Sequence, residues 1–288
     1  MNEALNKLAV DFFENSLNSS PTSAIMRGYT EYFDQIEELT EARFDQNLQD
    51  LNNFDKRLSE INFDELSNKE KVTFGMLEYA FTSNKDSLLD RSWEFGAGVS
   101  GFTGYLIDYN QQMFIPDLES ADLLLKRLEL YNQFFNQISK VQKKGLDENR
   151  VATERNLLRT IDQIESYLKT SLENDPLLLV NFSSEVSQGD LNDWKDKAKL
   201  IIESNVRPSV NLYLEQLKTE HLPKGRSDTN PGIMWIEGGE DIYLRSLRKF
   251  TGNKDISVKE VHEVGLSEIE RLKKEFFEIG KNVFDGVG

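Results

Sequence analysis

The chain has 288 residues, a formal net charge of −16 and no cysteine. Its 50 acidic and 34 basic residues disfavour binding to nucleic acid or to anionic lipid, because such binding needs clustered lysine and arginine. The absence of cysteine excludes disulfides, thiolate zinc sites and a cysteine nucleophile. The 18 Phe, 9 Tyr and 3 Trp can form a large core, which argues against intrinsic disorder.

The N-terminal sequence does not determine the cellular compartment of the protein. Residues 1–10 lack a basic stretch followed by an apolar core, so we see no signal peptide. No apolar run approaches the roughly 18 residues that span a bilayer. We expect no membrane span, and either a cytoplasmic protein or the mature form of an exported one.

Helical periodicity dominates the first ninety residues. One apolar face comprises Phe44, Leu48, Leu51, Leu58 and Ile61, and a second comprises Phe74, Leu77, Phe81 and Leu88. Ser67 and Glu70 have the spacing of a capping box, in which each side chain satisfies a backbone amide of the other residue. This spacing predicts that the second helix begins after Ser67.

The middle of the chain continues the helical pattern. A helix from Asp117 has the apolar positions Leu124, Leu128, Tyr131, Phe135 and Ile138. The next helix has Leu157, Ile161, Ile164, Leu168 and Leu172. A third has Trp194, Ala198 and Ile201. We expect Gly145 to end the first of these helices, and Asp147 and Asp190 to cap the following ones. Pro208 should bend or split the third helix, because proline lacks an amide donor, and Val210, Leu214 and Leu217 continue beyond it.

The last predicted helix has the clearest start. Ser257 and Glu260 form a second capping box. Its apolar face runs through Val261, Gly265, Ile269, Leu272, Phe276 and Ile279.

Two stretches lack helical periodicity, 92–116 and 221–239. The run Ile233–Ile236 in the second stretch is the best candidate for a strand. We therefore predict an all-α, multi-helix array of long amphipathic helices with a small irregular or β element near residues 232–239. The 288 residues form a single helical region, with possible lobes 1–91 and 117–288 joined by the Gly- and aromatic-rich segment 92–116.

Three motif fragments match catalytic patterns only in part. Gly96-Ala-Gly-Val-Ser-Gly101 matches G-x-G-x-x-G, but no buried strand precedes it and no helix opens after it, which favours a tight loop. Ser100 within it resembles a nucleophile elbow with one glycine a position early. His262-Glu263 begins like H-E-x-x-H, but position 266 is leucine, so we expect a satisfied or solvent-facing histidine. His221 is expected to complement a helix dipole at a C-terminus.

The glycine pair Gly238-Gly239 precedes a predicted helix. Open amides at such a position can bind an anion or a peptide carboxylate, and the alternative is a loop that needs unusual backbone angles. The acidic runs, such as Glu37-Glu38, fit helix starts and polar faces, and nothing in the sequence selects a catalytic pair from them.

A family resemblance begins at this glycine pair. The stretch Gly238-Gly-Glu-Asp-Ile-Tyr243-Leu-Arg-Ser-Leu-Arg-Lys-Phe-Thr251 is followed by a helix containing Gly265-Leu-Ser-Glu268. This arrangement resembles the bacterial DUF885 family, which has a glycine before a tyrosine, a Leu-Arg pair, a threonine and a Gly-Leu-x-Glu helix. The family's other patterns are matched by Pro21, Gly28, Asp34 and Arg127-Leu-x-x-Tyr131, so the resemblance spans essentially the whole chain.

The resemblance implies a helical zinc metallopeptidase whose His-Glu…Pro-Gly-His motif lies in the C-terminal half. This chain contains no such motif, and His262-Glu263 aligns with the Gly-Leu helix instead. No residue here inherits a metal-ligand or general-base role, so zinc is implied only for the full-length protein. The implied partners are the missing C-terminal half and a peptide substrate.

The same resemblance implies that this chain walls one side of a substrate cleft. Our candidates for lining it are Trp235, Gly238, Gly239, Tyr243, Arg245 and Arg248. Their alternative role is packing and salt bridges.

Two functions follow as expectations. In the first, the chain is the N-terminal, cleft-forming portion of a zinc-dependent peptidase-like hydrolase and is inactive alone. In the second, it is a non-enzymatic binding or interaction module. The first predicts a sizeable exposed apolar face, whereas the second predicts that no large apolar face is exposed.

Overall fold

Helices make up most of the computed structural model, which describes residues 2–96 and 109–284. The helices are α1 (Glu3–Ser19), α2 (Pro21–Met26), α3 (Glu41–Ser59), α4 (Asn68–Asp90), α5 (Tyr109–Gln112), α6 (Leu118–Glu129), α7 (Tyr131–Asp147), α8 (Glu154–Lys169), α9 (Gln188–Ile201), α10 (Arg207–Gln216), α11 (Gly239–Thr251) and α12 (Val258–Phe284). Two short strands, β1 (Phe114–Ile115) and β2 (Asn181–Phe182), pair in parallel. The predicted all-α fold class is confirmed.

The chain divides into two compact units, residues 1–237 and 238–288, called here the first and second unit. This boundary does not coincide with the predicted lobes, 1–91 and 117–288. The first unit contains two hydrophobic cores, the N-terminal core and the central core.

The N-terminal core is formed where α1, α3 and α4 pack together. Phe81 is fully buried there, and the ring of Phe12 meets it edge-on at 4.9 Å between centroids. Phe54 lies 5.8 Å from the same ring. Burying one such side chain contributes about 1.5–3 kcal/mol, so this small cluster holds the three helices together.

The central core is built mainly from α6 to α10. Trp194 on α9 is buried and donates its indole N–H to the carbonyl oxygen of Ala121 on α6, at 2.8 Å. The strand pair joins the same core through the fully buried Ile115, whose carbonyl oxygen accepts from Ser183 N at 2.9 Å. Leu157, also in this core, is fully buried on α8.

Helix starts follow the predicted capping chemistry at the two capping boxes and differ from it at Asp190 and Asp147. Both capping boxes are present, Ser67 with Glu70 and Ser257 with Glu260. Asp190, predicted as a cap, lies in the first turn of α9, and Ser187 is the cap because its hydroxyl accepts from the Asp190 amide at 3.2 Å. A hydroxyl in that position satisfies an otherwise unpaired amide.

The ends of the helices differ from the predicted ones more than their starts do. The single helix expected from Asp117 is two helices, because the chain turns at Leu130 between α6 and α7. Gly145 does not end α7, which continues to Asp147, and the cap of α8 is Thr153 rather than Asp147. Gly145 serves close packing instead, since a Cβ there would lie 2.6 Å from the Cβ of Glu94.

The helix predicted to bend or split at Pro208 is interrupted by a π turn just before that residue. A π turn at Ile202–Val206 separates α9 from α10, and Pro208 lies in the first turn of α10. The backbone stays in the right-handed helical region through this turn, so the π turn accommodates the missing amide of Pro208 without ending the helix.

The strand prediction at Ile233–Ile236 is wrong. Residues Ile233–Trp235 form one turn of 3-10 helix, and Trp235 and Met234 are exposed. A strand needs a neighbouring edge to pair with, and the described parallel pair lies at 114–115 and 181–182 instead. The irregular element expected near 232–239 is therefore a turn.

The second unit contains α11 and α12. Gly238 caps α11 with φ of 70°, a left-handed conformation that suits glycine, which confirms that this loop needs unusual backbone angles. The apolar face predicted for α12 is formed, but most of its side chains are exposed.

Candidate functional site

A groove of about 1190 Å³ lies within the first unit, lined by α1, α2, α3, the end of α4, the turn at Ser92–Glu94 and α7. Its apolar lining includes Phe12, Phe44, Leu48, Leu51 and Trp93. Pockets that bind small molecules or peptide segments are typically of this kind, mostly apolar with a few polar groups.

The apolar lining follows from helical spacing. Phe44, Leu48 and Leu51 lie at three- and four-residue steps on α3, so they share one side of that helix. Leu51 is buried in the N-terminal core, whereas Phe44 packs at the edge of the central core. The groove therefore runs between the two cores of the first unit.

Polar side chains accompany the apolar ones. They are the amides Asn15, Asn47 and Asn84 and the hydroxyls Ser16, Ser19, Ser20, Ser23, Ser87 and Ser92. Amides and hydroxyls both donate and accept hydrogen bonds. They suit a ligand that offers N–H and C=O groups together.

A buried ion-pair cluster stabilises one end of the groove. Glu94 is 5% exposed, and its carboxylate lies 2.7 Å from Arg150 Nε and also contacts Arg91. Arg91 in turn lies 2.9 Å from Glu148, and its hydrogen bond lowers the pKa of that carboxyl. Burial alone would lower the pKa of Arg91, but the two carboxylates outweigh it and raise the pKa.

Arg150 also ties distant backbone segments together. Its guanidinium donates to the carbonyl oxygens of Asp90 at 2.6 Å and Glu237 at 2.7 Å. The end of α4 and the last residue of the first unit are thereby held by one side chain.

Charges at the groove wall are of both signs. Lys144 pairs with Glu41, and this hydrogen bond lowers the pKa of the Glu41 carboxyl. Arg27 and Asp45 line the groove as well, and neither makes an ion pair with another of the described residues. The described lining includes no histidine.

The six candidates predicted from sequence lie elsewhere. Trp235 is half exposed in the first unit, whereas the other five candidates belong to the second unit. On α11, Tyr243 is separated from Arg245 and Arg248 by about 140–200° of helical rotation, so it projects from a different side. None of the six lines the groove. Their contact with a ligand stays a prediction.

The two histidines are far from a metal-binding arrangement. His221 is buried in the π turn Leu217–His221, with Nε2 3.1 Å from the Gln216 side-chain nitrogen, and burial lowers its pKa. It lies at the end of this helical stretch, as expected, and its side chain is buried. His262 is exposed on α12, which confirms the solvent-facing alternative. Within residues 2–96 and 109–284, no three His, Asp or Glu side chains are grouped to hold a metal ion.

Other sequence predictions cannot be placed. All but the first glycine of Gly96–Gly101, including Ser100, lies outside the described residues. The groove itself was missed by sequence reasoning. Its aromatic lining has the same spacing as core positions, so no sequence signal separates the two.

The described residues define a mainly helical protein with one short strand pair and a mixed apolar and polar groove. Sequence comparison then places it in a family: the chain belongs to the family described as "Bacterial protein of unknown function (DUF885)", whose profile matches residues 21–287. No curated protein matches the sequence. The resemblance noted from the motifs is thus confirmed across nearly the whole chain.

A solved structure shares the fold. The crystal structure described as that of "the putative lipoprotein from Colwellia psychrerythraea" aligns with a TM-score of 0.75 at 16% identity, over 96% of this chain and 50% of that one. At this identity the similarity establishes the fold alone. The present chain spans half the length of that protein. The described helices of the present chain are all too short or too polar to cross a membrane.

Proposed function

We propose that this chain is the N-terminal, cleft-forming portion of a larger zinc-dependent peptidase-like hydrolase. The groove of the first unit carries the proposal. An extended peptide offers apolar side chains to Phe44, Leu48 and Trp93, and backbone N–H and C=O groups to the surrounding amides and hydroxyls. The peptidase class comes from the motif resemblance, since the family that matches residues 21–287 is described as one of unknown function.

The described residues do not fit a catalytic zinc. Zinc in such sites takes three protein ligands, commonly with two histidines one helical turn apart. His262 has Val258 and Leu266 at the positions one turn away, and His221 is enclosed beside Gln216. We assign no step of hydrolysis to this chain, and under this proposal its residues bind and orient the peptide.

The second unit favours a portion of a larger protein over a self-sufficient binding module. A self-sufficient module should bury its apolar faces, because large exposed patches usually mark interaction sites. On α12, Phe276 is 72% exposed and Ile279 is 59% exposed. This exposure supports the first of our two expectations.

The test is peptide hydrolysis by the product of the whole gene, with and without a chelator. We expect hydrolysis that the chelator abolishes and added zinc restores. Chelator-insensitive hydrolysis, or none across a broad peptide library, would overturn the proposal.

The groove is tested separately in residues 1–288 by titrating the same peptides. Leu48→Arg, at the groove, should weaken peptide binding, because it places a charge where apolar side chains bind. Leu200→Arg is the control, since Leu200 is 67% exposed and lies outside the groove. Equal binding by both variants would argue against the groove as the peptide site.

A further inference from the structure

Helix α12 presents a continuous apolar seam. We define the α12 seam as Gly265, Ile269, Leu272, Phe276, Ile279 and Val283. Its five larger side chains are between 40 and 72% exposed. From Ile269 onward the steps alternate between three and four residues, which is the 3.5-residue period of helices that pack along one another at a shallow angle.

The polar side of α12 is satisfied within the helix. Arg271 lies 2.7 Å from Glu268 and 2.5 Å from Glu275, and these carboxylates raise its pKa. Lys273 similarly lies 2.7 Å from Glu270. The α12 seam is the longest row of exposed apolar side chains on this helix, and it is the part that another element could best cover.

The length of α12 strengthens this conclusion. It has 27 residues and is about 40 Å long. Helices in proteins are stabilised mainly by packing an amphipathic face, and isolated ones are marginal in water. A helix of this length with an exposed seam is typical of an element at the boundary between two packed layers.

We propose that the α12 seam docks an amphipathic helix from the second half of the same protein. This rests on the proposal that the chain is one portion of a larger protein. The solved relative shares the fold over 96% of this chain and has as much polypeptide again without a counterpart here. That additional half is the occupant we assign to the seam.

The charges beside the seam restrict the chemistry of this partner helix. Glu268 and Glu275 border one side of the seam and Lys273 borders the other. We expect lysine or arginine in the partner opposite the two glutamates and an acidic residue opposite Lys273. A second copy of this chain is the less favoured occupant, because two chains of net charge −16 repel each other.

The experiment pairs residues 1–288 with the polypeptide encoded downstream of position 288, expressed separately and mixed. We expect a one-to-one complex by sedimentation. Ile269→Glu and Phe276→Glu should each weaken it by at least about tenfold, because each would bury a carboxylate in an apolar interface. Both residues are exposed in residues 1–288, so circular dichroism should show that the variants keep their helix content.

Val264→Glu is the matched control. Val264 is 60% exposed on the same helix, but it lies off the seam by about 100° of helical rotation. It should leave the affinity of the complex unchanged.

Four results would overturn the inference. They are a complex insensitive to Phe276→Glu, no complex at all, no downstream coding sequence, and self-association of residues 1–288 that Phe276→Glu abolishes. The proposed function fails differently. A seam-dependent complex without peptide hydrolysis would leave the docking intact and overturn only the peptidase, whereas hydrolysis unaffected by both seam variants would overturn only the docking.

Discussion

Helices α8 and α12 are both amphipathic, but they present their apolar sides to different surroundings. On α8, in the first unit, Leu157 and Ile164 are fully buried. On α12, in the second unit, Ile269 and Phe276 are 50 and 72% exposed. Both faces have the same helical spacing. Spacing therefore identifies the apolar side of a helix, whereas burial depends on what else packs there.

Charged groups differ between the units in the same way. The carboxylate of Glu94 in the first unit is enclosed with Arg150, whereas Arg271 and Glu268 in the second unit form their ion pair about half exposed. Exposed pairs contribute little to stability, and buried ones are costly to break. Residues of matching type in the two units should thus respond differently to substitution.

The largest contrast is expected for two phenylalanines. Phe81→Ala should lower the free energy of unfolding by about 4 kcal/mol, because it leaves a cavity among the rings of the N-terminal core. Phe276→Ala should lower it by less than about 0.5 kcal/mol in residues 1–288. Urea denaturation measures both. Equal losses would mean that the α12 seam is already packed in this chain.

Two arginines provide the next contrast. Arg150→Met should cost about 3 kcal/mol, because it removes one of the two arginines that pair with the buried Glu94 carboxylate. Arg271→Met should cost much less than Arg150→Met, since its ion pairs are exposed to solvent. Adding Glu94→Gln to the Arg150 variant should recover part of the loss. A double variant no more stable than Arg150→Met would show that the backbone contacts of Arg150 dominate.

Alanine substitutions at two glycines should change stability in opposite directions. Gly145→Ala should cost about 1–3 kcal/mol, because its new Cβ would lie 2.6 Å from the Cβ of Glu94. Gly265→Ala meets nothing within 4 Å and should stabilise α12 by about 0.5–1 kcal/mol. Hydrogen exchange of α7 and α12 resolves the two effects. A stabilised α7 in the Gly145 variant would contradict the close approach.

The smallest expected effect is a decrease in stability at low pH that depends on His221, with His262 as the control. Burial lowers the folded-state pKa of His221 below the ordinary value of 6.5. Between the lowered pKa of folded His221 and the ordinary value of 6.5, the unfolded chain binds more protons than the folded one. Stability should therefore decrease as pH falls below about 6.5. His221→Gln should reduce this decrease and His262→Gln should not, because His262 is exposed on α12. The urea midpoint of each variant, measured at pH 7.5 and 5.5, tests this. If the midpoint falls by the same amount between these pH values in both variants, His221 is excluded as the cause.

Sequence patterns predicted the local elements well, and they predicted the candidate site poorly. The capping boxes at Ser67 and Ser257 and the break before Pro208 are local chemistry, because each depends on residues within one or two turns. The strand expected at Ile233–Ile236 was wrong because pairing depends on a distant edge. The groove was missed because its lining comes from segments far apart in the chain.

The sequence by itself determined the helical class, the apolar side of each long helix and, through its motifs, the family. Only the tertiary structure decided that Gly145 serves close packing, that His221 is buried, and that the sides of α8 and α12 have opposite exposure. The physical reason is how far apart in the sequence the interacting residues lie. Helix formation and capping depend on neighbours within about four residues, whereas burial depends on contacts between residues that are remote in sequence.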